Sequence, residues 1–258
     1  MERTKTPAVT RAAMLLAAAG ALALPIAARA DSRTAFIQSL DAPSSTRTVK
    51  PKSDADPVGE IVCTYYPDLM VRETGTDTPD PAAATLVPLK PGAARPACNS
   101  KPIAGAIALK TGGAAFDGRK GGFLIFDDAD PNGAEPFTVL DARTGRILFQ
   151  DATYPVLGLK RTAGLERGTL TLAYTRGYNA GCSMMQAAKA CWARLVAAGN
   201  APAALPPVTQ APRDCIAAYK DVGAADPSVI GYAVTVTLDA AGKARATPHG
   251  AVMCMPQP

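Results

Sequence analysis

One stretch of the chain carries oxygen ligands at alternate positions: Asp128-x-Asp130-x-Asn132-Gly133. Alternating side-chain oxygens followed by glycine match the first six positions of a calcium loop, where the ligands point inward and glycine permits a sharp turn. Calcium is therefore the one metal the sequence suggests, held by Asp128, Asp130 and Asn132. No other cofactor is implied. The match stops there, because Val139 stands where the bidentate Glu belongs and Pro131 takes an interior place. The same residues also spell a plain hairpin turn with solvated acids, since proline presets φ for turning.

Other chemistries lack their parts. The single histidine, His249, sits between Pro248 and Gly250, and no serine lies in a G-x-S-x-G setting that would make a nucleophile of it. Gly113 and Gly118 have phosphate-loop spacing, but Arg119 and Lys120 follow where Lys and then Ser or Thr are required. Asp127, Asp128, Asp141 and Asp151 are available for paired-carboxylate work, yet each falls at a strand end or turn where acids are common anyway. No catalytic residue is assigned on this basis.

Sulfur has a clearer part. Cys63, Cys98, Cys182, Cys191, Cys215 and Cys254 are six in number and include no C-x-x-C pair, so they read as three disulfides in an exported chain. An even count leaves no thiol for nucleophilic catalysis. Cys63 is expected to pair with Cys98, leaving the other four to pair among themselves. The 182–191 spacing sets two alternatives. A straight helix puts nine residues across about 13.5 Å, whereas a disulfide needs Cα atoms within about 7 Å. Either a helix runs through and each cysteine finds another partner, or the two bond and the helix begins near Cys191.

Export is written at the N-terminus. Arg3, Lys5 and Arg11 precede an apolar run over 12–24, and Ala28-Arg29-Ala30 supplies a small-x-small site, so residues 1–30 read as a signal peptide. The run is too short for a membrane span, and no membrane span is expected after cleavage. Residues 1–30 hold four of the 27 basic and one of the 22 acidic residues, so the balance beyond them is 23 to 21. A near-neutral chain offers no overall electrostatic footprint for nucleic acid. Residues 31–57, with Pro43, Pro51 and Pro57 and few large apolar side chains, are expected to be a flexible leader. Their one apolar cluster is Phe36-Ile37 with Leu40.

Residues 58–258 are expected to form a single β-rich domain. Its plainest stretch is 121–150, where 123–126, 136–140 and 146–150 read as three strands joined by tight turns. Leu170, Leu172 and Tyr174 alternate with Thr169, Thr171 and Thr175, and Tyr232 to Leu238 repeats the pattern, so each strand has one buried face. Residues 183–198 break it: Met184, Ala188, Trp192 and Leu195 have helical spacing, with Ser183 to start and Gly199-Asn200 to stop. The expected fold is mainly β, an antiparallel sandwich or partly open barrel with one short helical insertion, stabilised by disulfides.

These readings favour an exported, periplasmic or extracellular, non-enzymatic module that binds a protein or envelope component. An exported hydrolase using carboxylates around residues 127–135, or a protease inhibitor, are the alternatives. Tyr65-Tyr66 and Tyr174 with Tyr178 are candidates for a recognition surface as well as for core packing.

Overall fold

The computed structural model describes residues 36, 39–51, 59–75, 83–128, 133–155 and 161–257. Residues 1–30, read as a signal peptide, lie outside them, as do Asp130 and Asn132 of the turn read as a calcium loop. Five strands form one antiparallel sheet in sequential order: β1 (Ser45–Val49), β2 (Ile61–Tyr65), β3 (Leu69–Thr74), β4 (Ala83–Pro88) and β5 (Ile107–Leu109). A second, larger sheet holds β6 (Ala115–Lys120), β7 (Phe123–Asp127), β8 (Glu135–Asp141), β9 (Ile147–Thr153), β10 (Thr162–Glu166), β11 (Thr169–Asn179), β12 (Ser228–Leu238) and β13 (Ala244–Pro256). Helices α1 (Met184–Ala197) and α2 (Arg213–Ala218) fall between β11 and β12. The fold is mainly β, in two antiparallel sheets, as the alternating patterns require.

The second sheet curls. β11 pairs with β10 along its first half and touches β9 through Arg176 and Thr153, and Leu165 of β10 packs onto Gly121 in the turn after β6. Its inner face buries Phe123, Ile125, Phe137, Val139, Leu170, Leu172, Val234 and Val236 in one cluster. The outer face of β7 and β8 is buried too: Leu124, Phe126 and Leu140 pack on Val71, Leu86 and Leu109 of the first sheet. Burial on both faces explains why residues 123–126 are an unbroken apolar run where a half-wet strand would alternate.

The expected leader differs from what is observed. Phe36 is fully buried in the inner cluster, edge-on to Phe137 at 5.5 Å and to Tyr174 at 5.9 Å, and Leu40 packs beside it. β1 is built from the same leader and pairs residue for residue with β2. One aromatic ring entering a large preformed core offsets the ordering of a polar segment, which composition averaged over 27 residues conceals. β4 also forms within a stretch that carries Pro79, Pro81, Pro88, Pro91 and Pro96, because Ala84, Leu86 and Val87 find apolar neighbours once the sheets close.

The cysteines pair as 63–98, 182–191 and 215–254. Cys182 and Cys191 bond to each other, but the helix begins at Met184 and not near Cys191, because α1 carries a break. Ser183 caps the helix by accepting from the Gln186 N–H at 3.0 Å, and Ala187 leaves helical geometry at φ −142°, ψ 48°. The break folds the first turn back and brings the two Cα atoms to 5.8 Å.

The turn after β8 is held by Asp141, whose Oδ1 accepts from the N–H groups of Arg143 and Thr144 and from the Thr144 hydroxyl. Burial acts to raise its carboxyl pKa, but these hydrogen bonds outweigh it and hold the group below the usual carboxylate range. A lowered pKa contributes stability that is present above the unfolded value and lost as pH falls through the folded one. Asp141→Ala should therefore cost about 1 kcal/mol at neutral pH, in line with other side-chain caps. Urea titrations across pH 2–7 should show the variant losing less stability than the parent below about pH 4; parallel curves would discount the turn.

Candidate functional site

The strands bring polar side chains together at one end of the inner face. Glu135 lies opposite Thr153, Thr153 opposite Arg176 and Arg176 opposite Tyr232, so one row crosses β8, β9, β11 and β12. Directly paired residues share a face, and Asp151, two residues from Thr153, shares it as well. Arg176 donates to Asp151 Oδ2 through Nε at 2.8 Å and also through Nη2, and the Tyr174 hydroxyl donates to the same oxygen. Arg161 donates to Glu135 Oε2 at 3.0 Å, with the Thr153 hydroxyl at 3.3 Å. Burial and the Asp151 charge both push the Tyr174 phenol far up, so it remains a donor. Asp151 is thus engaged through both oxygens, Oδ1 accepting the Ala152 N–H at 2.9 Å, and Glu135 through Oε2.

The remaining acids do not join them. Asp127 pairs with Phe137 and Asp141 with Phe123, at opposite ends of the β7–β8 hairpin and about 13 Å apart along the strand. Asp128 is exposed at the end of β7, its backbone N–H donating to Pro136 O at 2.9 Å. No group of three metal-ligating side chains occurs among the described residues. His249 is exposed on β13 and meets the Thr235 hydroxyl at 3.2 Å. Tyr65 and Tyr66 are buried, the first donating to Pro96 O at 2.8 Å, the second stacked edge-on to Phe116 with its pKa raised by burial to about 12. They pack the interior instead of presenting a surface.

A different feature opens at the edge of the larger sheet. β13 spends Gly250, Ala251 and Val252 opposite the single residue Tyr232, and this bulge, with Gly250 at φ +77°, bends the edge strand. Beside it lies a groove of about 350 Å³ lined by Tyr154, Asp214, Ala218 and residues 251–255. The Cys215–Cys254 disulfide ties α2 to the strand, and Asp214 Oδ2 accepts the Cys254 N–H at 2.8 Å, so the edge cannot accept another strand at that point. Met253 and Met255 flank the groove and pack with Tyr154. Tyr154 is only 3% exposed, and its hydroxyl has no hydrogen bond among the described residues. Burial, Asp214 and Tyr219 push its pKa up, keeping the proton on the phenol.

Two glycines position that tyrosine. Gly177 and Gly231 are direct partners across β11 and β12. A Cβ at Gly177 would overlap the Thr153 carbonyl, and one at Gly231 would lie 2.6 Å from the Tyr154 ring. The ring lies where a Gly231 side chain would be, and the Thr153–Tyr154 backbone lies where a Gly177 side chain would be. Glycine inside an otherwise alternating strand signals such a close approach, and both glycines precede tyrosine in the sequence; that is the one local hint of this site. Gly231→Ala should cost about 2 kcal/mol by forcing the ring aside. Its near-ultraviolet circular dichroism should change with little loss of β signal; an unaltered tyrosine band would show that the ring is not seated there. Among the described residues no helix is long and apolar enough to cross a membrane. No known protein family, curated protein or solved structure matches the chain.

Proposed function

We propose that this is an exported, non-enzymatic binding protein that holds an envelope or extracellular partner in the groove over the β13 edge. The observation that carries this reading is the groove itself. A bulged edge strand, stapled in place, is backed by the Tyr154 ring and flanked by two methionines, whose unbranched side chains adapt to an occupant. Exposed Ile216 and Val222, on and just after α2, add apolar surface in the same stretch. Export is supported by the basic and apolar residues of 1–30 together with three disulfides. The commitment of Glu135 and Asp151 to arginines supports binding over hydrolysis.

A photo-crosslinking residue at position 218, with one at position 165 on β10 as comparison, tests the reading in cells. A discrete adduct from 218 and none from 165 is the expected result. Absence of an adduct from 218 would remove the groove as a binding face.

A further inference from the structure

The outer face of the smaller sheet carries a charge imbalance that the near-neutral total hides. Arg72 of β3 is 8% exposed, beneath the loop that Cys98 staples to Cys63. Its Nη1 donates to the carbonyls of Asn99 at 3.2 Å and Lys101 at 2.8 Å, and its buried Nε has no hydrogen-bond partner among the described residues. Among those residues no carboxylate pairs with this guanidinium. A buried charge held only by neutral dipoles is costly, because carbonyls return a fraction of what water or a counter-ion supplies.

The surroundings add positive charge. Arg47 and Arg72 both stand opposite Cys63, on its two flanking strands, so all three share a face and the arginines lie about 10 Å apart. Arg95 crosses the same face, donating to the Ser45 hydroxyl at 3.2 Å and stacking 5.8 Å over the Tyr65 ring. Lys101 is exposed at the carbonyl that Arg72 binds, and Arg47 is exposed with no ion pair among the described residues. Described acids nearby are spoken for. Glu73 follows Arg72 and so faces the other way, accepting the Phe116 N–H at 2.8 Å. Asp68 is bound to Arg119, and Glu60 is buried.

We infer that this face is a site for a phosphate-class oxyanion, held by Arg47, Arg95 and Lys101 over the charge of Arg72. Guanidinium groups match such oxygens in geometry as well as charge. The site is separate from the β13 groove and does not depend on it.

Melting of the mature protein should be followed in inorganic phosphate against chloride at matched ionic strength, together with co-sedimentation on phosphatidylglycerol vesicles. Phosphate should raise the midpoint saturably. Arg47→Ala/Arg95→Ala should weaken the apparent affinity about tenfold or more, because charge-assisted contacts are lost. Lys189→Ala/Lys243→Ala, the same charge change at exposed positions elsewhere, should leave it unaltered. Co-sedimentation that free phosphate reverses would place the oxyanion on a lipid headgroup, and phosphate binding without co-sedimentation would make it a soluble anion; either supports the site. Equal midpoint shifts in all three proteins would be the general effect of an excluded salt and would overturn it, as would no saturable shift and no co-sedimentation.

Discussion

Phe36→Ala will lower the unfolding free energy by about 4 kcal/mol, a midpoint loss of about 10 °C for a domain of this size. The ring is wholly buried and sits edge-on to Phe137 and Tyr174. Deleting it removes the transfer free energy of a large aromatic and opens a cavity lined by rings whose backbones belong to strands and cannot collapse inward. Neighbouring contacts should weaken together. Asp41 receives the Gly121 N–H at 2.6 Å and its N–H donates to Arg119 O at 2.8 Å, and the Ser39 hydroxyl accepts the Ala163 N–H at 2.7 Å. Hydrogen exchange at Asp41, Gly121 and Ala163 should accelerate in the variant. Val49→Ala, at a site 40% exposed on β1, should stay within about 0.5 kcal/mol. Comparable losses from the two substitutions would mean that Phe36 is not an anchor.

Cys215→Ser/Cys254→Ser will cost about 4 kcal/mol, the value expected when a cross-link across 39 residues is removed from the unfolded chain. Removing the 182–191 pair, whose sequence separation is only 9, should cost about 2.5 kcal/mol. Chemical denaturation of the two double variants, both free of unpaired thiols at the altered site, gives the order directly. Equal losses would show that local packing, not chain entropy, sets the contribution. The 215–254 change has a second consequence, because it releases α2 from β13 and with it the Asp214 contact that closes the edge. The variant should self-associate at concentrations where the parent is monomeric, read by sedimentation velocity.

Much of the architecture could be read before folding. Residues 169–175 and 232–238 alternate cleanly because each strand has one core face, and the meander over 123–150 is punctuated by turn residues acting over three or four positions. The break at Ala187 could not be read, since no proline or glycine marks it and the 182–191 spacing alone fits two arrangements. The candidate sites were less accessible still. Tyr154 and Asp214 are 60 residues apart in sequence and meet only through the bulge and the disulfide.

The amino-acid sequence by itself determined the β character, the turns, the one substantial helix and the reliance on cross-linked sulfur, because each follows from periodicity, short-range turn chemistry or a count. Tertiary structure alone decided which acids are spent on arginines, which glycines make room for Tyr154, that Phe36 belongs to the core, and that Arg72 is buried with no ion pair among the described residues. Those outcomes depend on strand register and on which faces close over one another, and neither is a property of any local stretch of chain.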